Sequence, residues 1–181
     1  MNQCEDAVGT FMATEYQRGS AVAVKEAPEL QKIYLHPGGL YASPEAAHLS
    51  IIVGSCVAVC IFNPRLSMGG ATHYLLPTLE VQGNPSPRYG DVAITQLLQG
   101  LEQAGSKKKD LEAQVYGGAC VLHAFRGGSS ELIGHKNVHL ALEVLSREKI
   151  RIVRQETGGE KGRKITMRTD TGATSFKLIG S

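Results

Sequence analysis

The hydrophobic and polar positions change their spacing several times along this chain, and each spacing predicts an element. Two apolar runs of strand length, residues 49–53 and 57–62, are separated by a short turn of small residues at 54–56. A glycine pair closes the next turn, and residues 71–76 are predicted to return as the partner strand of a hairpin. Residues 33–35 form a further short strand before a turn that contains proline and glycine. The first part of the chain is therefore predicted to consist mainly of strands.

The second part of the chain alternates between helical and extended periodicity. Residues 91–104 carry apolar side chains on one face and stop at Gly105, which predicts a helix. A second helix is predicted to begin with Asn137 as its N-cap and to end near Glu148. Further strands are predicted at 112–116, 150–155, 164–169 and 173–179. This order predicts an α/β (α+β) fold, a layered sandwich of mixed β-sheets with two principal helices.

Length and composition are those of an ordinary globular protein, and they exclude some functions. The chain has 181 residues, of which 20% are charged and 42% hydrophobic. We expect residues 1–31 to be a loosely ordered N-terminal extension and residues 32–181 to form a single domain. The net charge of +2 argues against a nucleic-acid partner. No apolar run approaches the roughly 18 residues that predict a membrane span, so membrane insertion is not expected.

The cysteines and the N-terminal region indicate the compartment. The four cysteines, at positions 4, 56, 60 and 120, follow no spacing typical of a disulfide framework. The N-terminal region lacks the basic segment followed by an apolar segment that marks a secretory signal. Both observations predict a reduced, cytoplasmic protein.

The strongest candidate for chemistry is Cys56, which follows Gly54 and Ser55 on the small-residue turn, with His73 in the predicted return strand. A free thiol near its reference pKa of roughly 8.5 is only a few per cent thiolate at neutral pH. An imidazole that accepts the proton makes it a nucleophile, so we expect a thiolate paired with His73. The small residues before Cys56 bring backbone N–H groups close to a substrate, where they are suited to hold an oxyanion. A long turn would hold the pair apart, so either the turn is tighter than it looks or neighbouring strands close the gap.

Two other interpretations of these residues remain open at this point. Cysteine is among the most buried residue types, and Cys60 in the following apolar run is expected to be a core thiol. Cys56 is therefore also compatible with a structural role. A metal site made by Cys56, Cys60 and His73 would lack a fourth ligand, and no metal or other cofactor is expected.

Several ordered blocks of the sequence resemble the CheD family, the chemoreceptor glutamine deamidases of bacterial and archaeal chemotaxis. The blocks are GSCVAVC at 54–60, GGATHYLLP at 69–77, YGD at 89–91, GGA at 117–119, IGHKNV at 133–138 and GGEKGR at 158–163. The resemblance covers roughly residues 33–179. It implies a fold similar to the catalytic domain of the cytotoxic necrotizing factor toxins, a layered sandwich in agreement with the order of elements above.

By this resemblance the chain is a cysteine-dependent protein-glutamine glutaminase, an amidohydrolase that forms a thioester and needs no cofactor. The family's cysteine falls on Cys56 and its histidine on His73, while its third polar residue, a threonine, falls on Ser50. Serine keeps the hydroxyl that would orient the imidazole but lacks the methyl group that restricts χ1. We therefore expect a looser contact from Ser50, or a backbone carbonyl in its place. Gly54 and Ser55 would hold the oxyanion and contact the substrate.

The implied partners are the cytoplasmic helices of chemoreceptors, the methyl-accepting chemotaxis proteins, together with the CheC phosphatase. The competing interpretation is a non-enzymatic chemotaxis adaptor that binds CheC or receptors, because a chain can keep a binding surface after its chemistry is lost. The serine at position 50 leaves that alternative open, whereas Cys56 and His73 favour an enzyme.

Overall fold

The structure, a computed structural model, describes residues 29–78, 84–120 and 129–180. The predicted extension, residues 1–31, lies almost wholly outside the described residues, so its loose order stays a prediction. The single domain over residues 32–181 likewise stays a prediction.

Nine β-strands and two α-helices account for most of the described residues. In chain order they are β1 (Gln31–Tyr34), β2 (Leu40–Ala42), β3 (Ala47–Val53), β4 (Val57–Asn63), β5 (Met68–Tyr74), α1 (Gly90–Gln103), β6 (Glu112–Gly117), α2 (Ser129–Arg147), β7 (Arg151–Thr157), β8 (Gly162–Arg168) and β9 (Thr174–Ile179). A short 3₁₀ turn, Lys108–Asp110, precedes β6. Most strands begin and end within three residues of the bounds predicted from the sequence; β2 was not predicted.

The strands form two mixed sheets. Sheet A has the order β1-β3-β8-β9, and sheet B has the order β2-β5-β4-β6-β7. Neighbouring strands are antiparallel except for two parallel pairs, β1 with β3 and β6 with β7. Helix α2 makes the long crossover that the parallel pair β6–β7 requires.

Sheet B is the middle layer of the described fold, with α1 and α2 on one face and sheet A on the other. Successive residues of β4 face opposite layers, as side chains of a strand must. Val57, Val59 and Ile61 pack with the helices, whereas Ala58 and Cys60 pack with residues of sheet A. The predicted layered sandwich of mixed sheets with two principal helices is confirmed.

The β4–β5 hairpin is tighter than the sequence pattern suggests. Strand β5 already begins at Met68, which pairs directly with Asn63 and leaves only residues 64–67 for the turn. The Asn63 side-chain oxygen accepts two N–H groups of that turn and closes it. The glycine pair at 69–70, expected to end the turn, instead lies in β5, where neighbouring backbone leaves no space for side chains.

Helix α2 begins earlier than predicted, at Ser129. Asn137, predicted as its N-cap, lies inside the helix, so that prediction is wrong. The side chain of Asn137 is fully buried and donates hydrogen bonds to two carbonyl groups outside the helix. An asparagine that finds partners on neighbouring elements does not compete for the backbone of its own helix, which removes the usual reason for its place at a helix end.

Candidate active site

The chain passes from sheet A to sheet B at two places that lie at the same end of the sandwich. Residues 35–39 connect β1 to β2, and residues 54–56 connect β3 to β4. Because β1 and β3 are parallel neighbours, both strands leave sheet A at the same end. Cys56 lies in the second connection, and His73, near the end of β5, is hydrogen-bonded through its backbone to the first.

The register of the hairpin brings Cys56 and His73 to one face. His73 lies directly opposite Ala58, so both side chains are on the side of sheet B that faces sheet A. Cys56 precedes Ala58 by two residues, is half-buried and packs against the same core. Of the two possibilities left open by the sequence, the tighter turn agrees with this register, which places both residues on the same face of sheet B.

His73 is buried and is held from three sides. Its N–H donates to the Gly39 carbonyl at 3.0 Å, and its carbonyl accepts the Gly38 N–H at 2.7 Å. The ring atom Nδ1 lies 3.1 Å from the carbonyl oxygen of Leu35. A carbonyl only accepts, so Nδ1 carries the proton and Nε2 of the neutral ring carries the free electron pair. Nε2 is buried and bonds to no described group, which makes it available as a base.

The sequence left two alternatives for orienting this imidazole, the Ser50 hydroxyl or a backbone carbonyl, and the described contacts agree with the second. In β3 the side chains of Leu49 and Ile51 point into the core between the sheets, so Ser50 points to the outer face of sheet A. Its antiparallel neighbour there is Thr166, whose hydroxyl bonds to another side chain on the same face. Ser50 contributes only its carbonyl oxygen, which accepts the Leu35 N–H at 2.9 Å. The Leu35 carbonyl is the backbone group that takes the orienting role.

The connection 54–56 is anchored through its carbonyl groups and leaves N–H groups available. The carbonyl oxygens of Gly54 and Cys56 accept N–H groups of Ala119 and Gly118 at 2.8 and 2.9 Å. Among the described residues, no other residue accepts the N–H groups of Ser55 and Cys56; the Cys56 N–H faces only its own sulfur. Such unpaired donors beside a nucleophile are suited to stabilise an oxyanion.

Burial moves both ionisable groups toward their neutral forms. Burial raises the pKa of the Cys56 thiol above its ordinary value of 9.0, against a smaller opposite effect of the residue's own N–H. Burial also lowers the pKa of His73 below 6.5, with a smaller opposite effect of the Leu35 hydrogen bond. Both shifts favour a thiol and a neutral imidazole over the charged pair. The thiolate paired with His73 that the sequence led us to expect stays a prediction, and both of these pKa directions argue against it.

Asn137 is a residue of this site that the sequence did not reveal. Its Nδ2 donates to the carbonyl oxygens of Ser55 at 3.0 Å and Leu75 at 2.8 Å. The sequence did contain a signal for it, a polar residue on the apolar face of α2: Asn137 lies one turn before Ala141 on that buried face. A fully buried amide on an apolar helix face needs partners, and here they belong to the segments that carry Cys56 and His73.

The remaining candidates have simpler places. Cys60 is buried in the core between the sheets, and burial raises its pKa to about 12. Within the described ranges, no three His, Cys, Asp or Glu side chains group as metal ligands would. No helix in the part of the chain that the structure describes has the length and apolar character needed to cross a membrane.

Comparison with known proteins gives consistent matches. Residues 75–178 match the family described as CheD chemotactic sensory transduction, a range that begins after Cys56 and His73. The probable chemoreceptor glutamine deamidase CheD of Sulfurimonas denitrificans is 34% identical over 83% of this chain and 96% of its own length. The probable chemoreceptor glutamine deamidase CheD 1 of Anaeromyxobacter dehalogenans is 40% identical over 82% of this chain and 85% of its own length.

A further relative and one solved structure complete the comparison. The corresponding protein of Trichlorobacter lovleyi, again named a probable chemoreceptor glutamine deamidase CheD, is 36% identical over 79% of this chain and 88% of its own length. The solved structure of a Neisseria meningitidis protein of family DUF152 aligns with a TM-score of 0.40 and 14% identity. That alignment covers 72% of this chain and 64% of the other, and the likeness is too slight to bear on function.

Proposed function

Because this chain belongs to the CheD family, we propose that it converts glutamine side chains of chemoreceptors to glutamate, with Cys56 as nucleophile and His73 as base. The cytoplasmic helices of a receptor are the proposed substrate, which puts the protein in the cytoplasm. The CheC phosphatase is a second proposed partner. The reaction needs neither a metal nor an organic cofactor.

The first half of the reaction forms a thioester. Nε2 of His73 takes the thiol proton while the sulfur of Cys56 attacks the carboxamide carbon of the glutamine. The N–H groups of Ser55 and Cys56 donate to the oxyanion of the tetrahedral intermediate. The carbon–nitrogen bond then breaks, and the proton on Nε2 passes to the nitrogen, which leaves as ammonia.

The second half of the reaction hydrolyses the thioester. Nε2 of His73 takes a proton from a water molecule, whose oxygen attacks the thioester carbon. The carbon–sulfur bond breaks, and the proton returns to the sulfur of Cys56. The product carboxylic acid then gives up its proton, which the released ammonia takes up. Each turnover therefore consumes one water and yields one ammonium ion and one glutamate, which carries a negative charge that the glutamine lacked.

The observation that carries this proposal is the state of the His73 ring. One ring nitrogen is fixed by the Leu35 carbonyl, and the other is buried without a partner on the face that Cys56 shares. An unsatisfied buried polar atom costs on the order of 1–3 kcal/mol, so a protein keeps one where it has a use for it. Taking a proton from the neighbouring thiol is such a use.

The test compares Cys56→Ala with Cys60→Ala in cells that also express a receptor cytoplasmic fragment. Mass spectrometry of the fragment detects each deamidation as a gain of about one mass unit. We expect Cys56→Ala to abolish the conversion and to fold normally, because the half-buried Cys56 adds little to packing. Cys60→Ala should retain the conversion and lose on the order of 1 kcal/mol of stability, since that thiol is in the core.

Two outcomes would count against the proposal. Conversion of glutamine by a folded Cys56→Ala protein contradicts it. A parent protein that binds receptor or CheC without converting glutamine favours the adaptor.

A further inference from the structure

Asn137 joins the two halves of the active site through one amide. Its Nδ2 donates to the carbonyl of Ser55, which immediately precedes the nucleophile, and to the carbonyl of Leu75, which follows the strand of His73. Both N–H bonds of that amide are therefore used on backbone oxygen atoms. The amide oxygen Oδ1 is buried and bonds to no described group. The described contacts therefore satisfy the two donors of this buried amide and leave its acceptor without a protein partner, which is costly for stability alone.

The bond to Ser55 sets the direction of a donor on Cys56. The Ser55 carbonyl and the Cys56 N–H belong to the same peptide group, which is planar and trans, so the two point in opposite directions. Fixing the carbonyl on Asn137 therefore aims the Cys56 N–H away from α2. That N–H lies beside the Cys56 sulfur and lowers the pKa of the thiol, and no other described residue accepts it.

The helix can approach closely enough for so short a side chain to act. Gly134 lies one turn before Asn137, and a Cβ on it would stand 2.8 Å from the carbonyl oxygen of Gly118. A Cβ on Gly118 would in turn stand 2.9 Å from the Gly134 carbonyl oxygen. The contact between α2 and the segment around Gly118, which anchors the Cys56 carbonyl, is possible because both facing residues are glycines. The contact brings the amide of Asn137 within hydrogen-bond range of two backbone carbonyls.

We propose that Asn137 is a positioning residue of the deamidase. It aims the Cys56 N–H at the developing oxyanion and holds the Cys56 connection against the strand that carries His73. The inference rests on the proposed function for its effect on turnover. Its effect on the thiol of Cys56 is independent of any substrate.

The test uses Asn137→Asp, which keeps the size of the side chain and removes both donors, with Asn63→Asp as the matched control. Asn63 is an equally buried amide at the far end of β4, where it bonds to the turn and to Ser106. We expect Asn137→Asp to lower kcat by about 100-fold, the effect of losing one oxyanion donor, with KM changed less than about threefold. Iodoacetamide should also alkylate Cys56 more slowly at fixed pH, because the thiolate loses its aligned N–H. Asn63→Asp should leave both measurements within about twofold of the parent.

Each outcome has a definite meaning. Unchanged kcat and unchanged alkylation in folded Asn137→Asp overturn the proposal, as do equal losses in both variants, which would indicate general destabilisation. If the parent protein deamidates nothing, the proposed function fails, and the alkylation rates alone still decide whether Asn137 positions Cys56. If Asn137→Asp does not fold, Asn137→Ser, which keeps one donor but cannot reach both carbonyls, is judged by the same two measurements.

Discussion

At the residue scale, the proposed chemistry depends on the protonation of two side chains, Cys56 and His73, which burial controls. Burial raises the pKa of Cys56 and lowers that of His73, so the transfer from sulfur to Nε2 is unfavourable in the resting protein. When the sulfur attacks a bound carboxamide, an oxyanion forms that the N–H groups of Ser55 and Cys56 stabilise. This stabilisation offsets the cost of removing the proton from the thiol. In the proposed mechanism the thiol is therefore activated only when a carboxamide is bound.

The first prediction concerns the reactivity of the free thiol. Iodoacetamide alkylation of Cys56, followed by peptide mapping across pH, should rise toward a midpoint above pH 9, because burial raises the pKa of this thiol. His73→Gln should leave this profile nearly unchanged, since His73 is already neutral over most of the range. A fast plateau at pH 6–8 that disappears in His73→Gln would instead indicate a preformed ion pair.

The second prediction concerns Ser50, which the family resemblance places in the catalytic set. Ser50→Ala and Ser50→Thr should both keep kcat and KM within about twofold of the parent, because the side chain lies on the outer face of sheet A. The Ser50 carbonyl that bonds Leu35 is retained in both variants. His73→Gln is the control and should abolish turnover. A tenfold loss in Ser50→Ala would contradict the placement of His73 on the Leu35 carbonyl.

At the scale of elements, the candidate site lies where strands end, and glycines there allow neighbouring backbone segments to approach each other closely. Gly117, the last residue of β6, has a φ of +117°, and a Cβ on it would stand 2.1 Å from the Cys56 carbonyl oxygen. The next residue, Gly118, donates its N–H to that same oxygen. The end of β6 therefore determines where the peptide group of Cys56, the proposed nucleophile, lies.

The third prediction compares two glycines with similar backbone strain. Gly117→Ala should reduce kcat by at least tenfold and cost more than the roughly 1–3 kcal/mol of a strained φ, because the new methyl group pushes the Cys56 carbonyl away. Gly105 also has a positive φ, +100°, but a Cβ on it would meet no atom within 4 Å. Gly105→Ala should therefore cost only the backbone strain and leave kcat unchanged. Thermal melts and turnover of the two variants check this. Equal effects on turnover would show that strain, rather than the displaced carbonyl, is responsible.

Elements were easier to predict from this sequence than the contacts between them. The apolar runs around Cys56 and the helical face of α1 gave the type and approximate bounds of their elements, because periodicity reflects burial directly. The register of β4 against β5 was not predictable, since it depends on a turn that Asn63 closes. Asn137 was misread as a cap because its carbonyl partners are distant in sequence, and the Leu35 carbonyl gives no sequence signal at all.

At the scale of the whole molecule, the layers of the fold bury the proposed base, His73. His73 is 1% exposed, between sheets A and B, and is covered by the connection 35–39. Because burial lowers the pKa of His73 in the folded protein, the unfolded chain binds a proton at a higher pH than the folded protein does. The free energy of unfolding therefore depends on pH. The functional state of the base and the acid sensitivity of the fold are therefore linked.

The fourth prediction is this acid sensitivity. The folded pKa of His73 lies below the unfolded value near 6.5, so its contribution to stability is complete above pH 6.5 and is lost as the pH falls below it. The free energy of unfolding should decline over this window by at most about 1.4 kcal/mol per pH unit for one proton. Urea titrations between pH 7.5 and 5 measure it. His73→Gln should flatten the decline, and an equal decline in that variant would assign the effect to other groups.

The carbonyl of Leu35 that fixes the His73 ring has a consequence for mutational scanning and for conservation. Every substitution at position 35 except proline retains both its carbonyl oxygen and the N–H that bonds Ser50, so the orienting group survives almost any codon change. If Cys56 and His73 have the proposed roles, a saturation scan should report intolerance at both. At position 35 it should report only a preference for an apolar residue of suitable size. A functional group supplied by the backbone is inherited with the fold rather than with a residue type.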